Sequence, residues 1–257
     1  MTAAPALRVF EARARAFAPH WRTATAAAVL IPLAFLAAMG LGLGTLVDRG
    51  DADLAGGSYL AYLAPGLLAA TAMQTGVGES SWPVRLGVKW QKTYLATLAT
   101  PVSTGDLVLG QLLWVALRLL VVALALAAGM VAFGATGVAG AARAVAPAVL
   151  TGMAFAAPMA AWAVLMAKDT TIVAIIRFGV TPLFLFSGAF FPVSQLPRTL
   201  EALAVVTPLW HGVELTRSAA LSVPPTLPAV LHVAYLAAWV LVGTLVARWA
   251  FARQLRQ

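Results

Sequence analysis

The sequence predicts an all-α membrane protein, and three observations carry that prediction. Of its 257 residues 61% are hydrophobic and only 10% charged, whereas soluble domains carry about 25% charged residues. Such a chain cannot cover a water-facing surface of its own size. Its mean hydropathy of +0.90 also excludes disorder, which requires low hydrophobicity. Finally, its apolar residues gather into six runs, each near the ~20 residues that a helix needs to cross ~30 Å of hydrocarbon.

The runs cover residues 23–47, 59–77, 107–133, 145–167, 171–190 and 228–250. Pro32, Pro65, Pro158 and Pro182 fall within them; packed membrane helices tolerate proline because neighbours re-satisfy the freed backbone groups. The basic residues fall mostly on one side of this six-span plan: Arg8, Arg13, Arg15 and Arg22, then Arg85, Lys89 and Lys92, then Lys168, then Arg248, Arg253 and Arg256. The other side holds Arg49, Arg143, Arg198 and Arg217, with the acids Asp48, Asp51, Asp53, Glu201 and Glu214. The net charge of +8 is therefore read as an orientation signal, with no nucleic-acid partner implied. The basic side is expected in the cytoplasm, and an even number of spans places both termini there.

Residues 1–22 precede the first run. Leu7, Phe10, Ala14, Phe17 and Trp21 recur at helical spacing and predict a basic amphipathic helix lying in the headgroup plane. The apolar run that follows is too long for a signal-peptide core. A basic tail that only fixes orientation is the alternative. Residues 79–106 mix Trp82, Arg85, Lys89, Trp90, Lys92 and Tyr94, after which Leu95, Leu98 and Val102 repeat at helical spacing and Pro101 stops the helix. This short cytoplasmic helix suits either docking to a partner or resting on the headgroups. Residues 191–227 are rich in proline, yet Leu196, Leu200, Leu203, Val206 and Leu209 keep helical spacing, and Phe184, Phe186, Phe190 and Phe191 lead in without a polar break. That pattern predicts a re-entrant helical cap. The chain reads as a single transmembrane domain, residues 1–257.

The chemistry is mostly a matter of what is missing. There is no G-x-x-x-x-G-K-[ST], H-E-x-x-H or G-x-S-x-G motif and no cysteine, so neither a P-loop nor a motif-borne hydrolase or zinc site is expected. His20, His211 and His232 stand far apart in sequence. Glu79, Asp106 and Asp169 are placed near cytoplasmic span ends, which argues against a self-powered, proton-coupled carrier. Two cations remain inside apolar runs, Arg118 and Arg177. An arginine at such a depth normally faces a cavity or a partner, here a polar substrate or an ion pair, or it snorkels to the interface. Gly40 and Gly44 form a small-xxx-small step of the kind that lets two helices approach closely, a weak hint of a subunit contact.

The stretch TPLFLFSGAFFPVSQLPRTLEALAVVTPLWHGVELTRSAAL, from Thr181, resembles the C-terminal signature of ABC-2 type transporter permeases. Its elements are F-P-x-x-x-L-P (Phe191, Pro192, Leu196, Pro197), a short outer helix, and P-L-x-H-x-[VI]-[DE]-x-x-R (Pro208, Leu209, His211, Val213, Glu214, Arg217). YLATLATPVSTGDLVLGQLL, from Tyr94, resembles that family's short cytoplasmic helix ending in T-P. The likeness is nearest to nodulation-factor (lipo-chitooligosaccharide) exporter permeases and daunorubicin-resistance-type drug exporter permeases. One departure is the run from Lys89 to Thr93, which stands where the family often has E-x-E-x-G-T.

The resemblance implies a non-enzymatic permease subunit in a bacterial cytoplasmic membrane. It would pair with a second permease, a copy or a sibling, and with two separate ATPase chains that hold ATP and Mg; this chain would carry no cofactor or metal. It further implies ATPase coupling through Lys92, Tyr94, Thr100 and Pro101, supported by Phe10 and Phe17. The first and fifth spans would meet their counterparts across the dimer axis, with Gly40 and Gly44 as dimer contacts. Phe186, Phe190, Phe191 and Pro192 would form an outer gate, and Arg118 is grouped with the substrate path. The expected substrate is amphipathic: a lipid, a hydrophobic drug or a lipid-bearing saccharide. A lipid-linked glycan exporter and a non-transporting membrane scaffold are the alternatives.

Overall fold

The computed structural model describes residues 4–48, 57–166 and 168–255, and the regular elements among them are all helical. Arg49, Asp51, Asp53 and Arg256, used above for orientation, lie outside the described residues. Among the described residues five helices are long and apolar enough to cross a membrane: Pro5–Gly40, Tyr59–Trp90, Thr104–Ala132, Val138–Leu165 and Ala229–Leu255. The fifth predicted run is realised as a shorter apolar helix, Thr170–Phe186. Its length of about 25 Å at ~1.5 Å per residue stands at the low end for a crossing.

In chain order the elements are α1 (Pro5–Phe17), α2 (Trp21–Leu36), α3 (Gly44–Val47), α4 (Tyr59–Ser80), α5 (Trp82–Arg85), α6 (Thr93–Leu98), α7 (Thr104–Ala132), α8 (Val138–Leu165), α9 (Thr170–Ile175), α10 (Thr181–Phe186), α11 (Arg198–Val205), α12 (Pro208–Leu221) and α13 (Ala229–Leu255). A wide π-helical turn, Ala37–Leu43, follows Pro32 and joins α2 to α3; loss of the proline N–H and a wide turn are both known sources of a bend. Starts are written locally. The Ser58 hydroxyl accepts from Ala61 N at α4. Ser103 and Asp106 form a capping box at α7, and Thr207 caps α12 with Pro208 just inside it. α8 begins at Val138, earlier than predicted. Arg143 does not obstruct it, because its guanidinium turns toward Ala139 O and the Ser222 hydroxyl.

α8 is the central post, packed by α4, α7, α12 and α13. Its inward surface is built of small residues, among them Gly140, Ala144, Ala148, Gly152, Ala156 and Ala160, which let neighbouring backbones come close. A Cβ on Gly76 of α4 would sit 2.3 Å from Gly152 O, and one on Gly243 of α13 would sit 2.6 Å from Pro158. α12 runs antiparallel along α8, Gly212 against Thr151 and Gly140 against Ala220 O. α12 is thus a buried part of the bundle, while α11, before it, carries the exposed Leu200 and Leu203. The predicted apolar stripe of residues 196–209 is therefore split. Leu209 enters the core because the chain turns at Thr207 and Pro208.

α1 packs along the start of α7, with Val9 pressed into the space left by Gly110. Its packed face is Ala6, Val9, Phe10, Ala14 and Phe17, whereas Leu7 and Trp21 look outward. The predicted stripe is rotated because the glycine of α7 admits Val9. Apolar side chains cover the outside of α2 and the α9–α10 segment, including Ile31 at 70% and Phe178 at 82% exposure, as a lipid or subunit contact requires.

Gly76→Ala is expected to lower stability by about 1–3 kcal/mol, the usual cost of overpacking, because its Cβ meets backbone. Gly78→Ala, on the same helix with open space at its Cβ, is expected to be neutral or to stabilise by up to ~1 kcal/mol. Denaturant unfolding of the two variants in the same detergent separates these outcomes.

Candidate functional site

Polar side chains concentrate at the two ends of the bundle. The basic end joins α1, α6, α7, the last turn of α4 and the start of α2. Arg13 donates to the Tyr94 hydroxyl and its guanidinium lies 4.9 Å from the ring centre. Tyr94 donates to Gln111 Oε1 at 3.4 Å, and Gln111 Nε2 donates to Glu79 O at 3.3 Å. Arg118 Nε then donates to Glu79 Oε1 at 2.9 Å, and its Nη1 to the Thr25 hydroxyl at 2.9 Å. The Arg118 guanidinium also lies over the Phe17 ring, and Phe17 and Phe10 pack on Trp114. The result is a continuous polar path from the short helix α6 to α4, α7 and α2. Beside it, Arg85 donates to Asp169 at 2.8 Å and to Met166 O, with Lys89 at 3.3 Å from Asp169. The Arg85 hydrogen bond, backed by Lys89, holds the Asp169 carboxyl below the usual carboxylate range.

The other end is the cap. Gly188, in the left-handed region at φ +82, turns the chain after α10. Its carbonyl accepts from Arg217 Nη2 at 2.8 Å and from the Tyr62 hydroxyl at 3.1 Å. Arg217 also reaches Tyr62 O and Glu214, and its guanidinium lies 3.8 Å from the centre of the Tyr62 ring. Glu214 accepts in turn from the Thr226 backbone and hydroxyl. Ala189 is fully buried against Gly66 of α4. Beyond this clamp, Phe190 packs edge-on against Phe35 of α2 at 5.6 Å and Phe184 at 4.9 Å. These rings line an open apolar groove of about 710 Å³ together with Met39, Phe186, Phe191 and Pro192.

Among the described residues no group of three or more His, Cys, Asp or Glu side chains could hold a metal ion. The arrangement offers positioning, binding and movement; its carboxylates are committed to arginines, a lysine, a threonine or a helix cap, Glu201 apart. Comparison with known proteins agrees. A model described as ABC-2 type transporter matches residues 12–221. The chain belongs to the ABC-2 type transporter family. Nodulation protein J of Rhizobium leguminosarum bv. viciae is 30% identical over 239 residues, 91% of this chain and 90% of that protein. Nodulation protein J of Sinorhizobium fredii (strain NBRC 101917 / NGR234) is 34% identical over 209 residues, 79% of this chain and 78% of that protein. Rhizobium meliloti (strain 1021) has a Nodulation protein J that is 31% identical over 208 residues.

As an ABC-2 permease, the chain is a membrane transport component. Its structure sorts the residues singled out in the sequence. Lys92, Thr100 and Pro101 are exposed around α6, with Lys92 in the left-handed region at φ 52. Tyr94 is buried against Phe251, so it ties α6 to the bundle and presents no surface. Phe10 and Phe17 likewise face α7. Arg118 is separated from the outer aromatics and sits at the basic end with Glu79. Arg118 lies at the middle of α7, where Glu79 near the end of α4 and Thr25 near the start of α2 reach it. Gly40 and Gly44 face Leu60 and Tyr59 of α4 in the same chain, which gives the small-residue step an intrachain role. Arg177 is exposed. Phe186, Phe190, Phe191 and Pro192 do converge, on one groove.

Three features were missed. His211 and His232, distant in sequence, meet with their Nδ1 atoms 2.8 Å apart; no local signal reports a contact between α12 and α13. The Glu79–Arg118 pair was not drawn, although an acid at one span end and an arginine in the next span were both visible. Arg217 and Glu214 were noted as part of a motif without a role, and the clamp supplies one.

Glu79→Gln leaves Arg118 buried with its partner gone and is expected to cost about 3 kcal/mol; Glu79→Gln with Arg118→Met removes both charges and is expected to recover most of that loss. Unfolding of both variants in detergent tests this as a double-mutant comparison. Asp169 titrates at a lower pH folded than unfolded. Its contribution is present above the unfolded value and disappears as pH falls through the folded one. A stability profile taken from pH 6 to about 2 should therefore lose an acid-side component in Asp169→Asn.

Proposed function

We propose that this chain is the permease subunit of an ATP-binding cassette exporter that moves an amphipathic, lipid-bearing saccharide outward. Separate ATPase chains power it, holding the ATP and Mg. Two ATPases and a second permease, a copy or a sibling, complete the transporter in a bacterial cytoplasmic membrane. The basic end and both termini face the cytoplasm, in keeping with the excess of Lys and Arg there. The observation that carries this reading is the polar path from α6 to Arg118. It offers a rigid connection between a surface helix and the inner ends of three long helices.

In this reading Lys92, Thr100 and Pro101 meet the ATPase. Tyr94 is a positioning residue that passes the displacement of α6 to Arg13 and Gln111, with Phe10 and Phe17 steadying α1 on α7. Closure of the ATPase pair draws the inner ends together, and the substrate leaves past Phe186, Phe190, Phe191 and Pro192. ATP can drive this only by a difference in affinity between the two states. Exposed faces of α2 and the α9–α10 segment meet the second permease. The similarity to Nodulation protein J favours a lipid-bearing saccharide over a simple hydrophobic drug.

The test is co-purification and reconstitution with the cognate ATPase. Lys92→Glu should weaken ATPase association. Tyr94→Phe should leave association intact yet lower transport per ATP hydrolysed about tenfold, the equivalent of one hydrogen bond to a charged group. Purification of the chain without any ATPase, under conditions that preserve such complexes, would overturn the reading.

A further inference from the structure

The cap end carries a second cavity, which is mixed in character and more polar than the aromatic groove beside it. About 410 Å³ in volume, it falls within the ~300–1,000 Å³ range of ligand sites. Its polar groups are those of Ser194, Glu201, Glu214, Arg217, Ser218 and Thr226, set among valines, prolines, Tyr62 and Trp210. The groove of about 710 Å³ is almost wholly aliphatic and aromatic. Pro192 lines both. One residue is therefore a wall common to an apolar channel and a polar chamber.

The charges of the chamber restrict what it takes. Arg217 is paired with Glu214 and committed to Gly188 O and Tyr62 O, and Glu214 holds Thr226. That leaves Glu201, half-buried on α11, whose carboxylate makes no hydrogen bond or ion pair among the described residues. A free carboxylate beside hydroxyls repels an anionic head and accepts well from hydroxyl donors.

We propose that the two cavities form one exit site for an acylated saccharide whose head carries no anionic group. The sugar head sits in the chamber against Glu201 and the acyl chain lies along Phe186 and Phe190, with Pro192 at the junction. The proposal rests on the exporter reading for its direction of travel but assigns a place and a polarity that transport alone does not. It makes the cap a selective element: head and chain are read by different walls, and a ligand lacking either part loses half of its contacts.

The experiment uses the full permease–ATPase complex in lipid nanodiscs without ATP. The probes are two dodecyl maltosides, one carrying a photoreactive diazirine on the sugar and the other at the chain end. Cross-linked peptides are mapped by mass spectrometry. Sugar-end labelling is expected within residues 192–226, and chain-end labelling on residues 184–191 or near Phe35. Unlabelled dodecyl maltoside should compete, while maltose and dodecyl phosphate should not. Glu201→Ala should lower sugar-end labelling about tenfold, as for one charge-assisted hydrogen bond. Unchanged chain-end labelling would show that the cap remains folded, and Glu201→Gln should retain an intermediate signal. Identical labelling by both probes, sugar-end labelling confined to the basic end, or equal competition by the anionic amphiphile would each overturn the proposal. If that happened while the complex still coupled ATP hydrolysis to transport, the exporter reading would stand alone. The expected labelling without any associated ATPase would leave the site and remove the exporter.

Discussion

Close helix approach around α8 is the constraint on which the other features of the bundle rest. Lipid supplies no hydrophobic force between helices, so association depends on surfaces that let backbones come into van der Waals contact. α8 meets this with Gly140, Gly152 and a run of alanines, and its neighbours answer with Gly76, Gly212 and Gly243. Because α4, α12 and α13 all press on one post, the elements at either end are held at fixed distances. α12 is drawn into the bundle as a consequence, and with it the histidine pair and the Arg217 clamp.

At the basic end this rigidity turns a short surface helix into a mechanical element. α6 is only six residues long and would not be stable alone. It persists because Tyr94 is inserted between Arg13, Gln111 and Phe251. The same side chain that makes α6 possible ties it to α7 and, through Glu79, to Arg118. In the proposed coupling role, stability and signal passage share one set of contacts. The cap end is built differently: Arg217 fixes the turn at Gly188, and the aromatic rings beyond it meet edge to face.

Much of the plan was legible in the sequence. Composition and run length determined an all-helical membrane protein, and the residues around Phe191 and from Pro208 to Arg217 carried the family resemblance that the match over residues 12–221 bears out. The start of α7 and the break near Pro101 were local facts, written by Ser103, Asp106 and Pro101 within a few positions. Periodicity was a weaker guide. It identified α1 and α11 as helices but turned the packed face of α1, because the choice between Leu7 and Val9 was made by Gly110, about a hundred residues further on.

What only the tertiary structure decided is the pairing of charged and polar groups across helices. In sequence Arg118 stood inside an apolar run and Arg217 in an outer motif, and neither position named all of its partners. Glu79 and Thr25 place one at the basic end, and Gly188 and Tyr62 place the other under the cap. The physical reason is that membrane composition follows from one-dimensional solvation, residue by residue, whereas an ion pair needs two helices at a particular depth and rotation. Those quantities come from the way small residues pack on α8, and no single segment contains them.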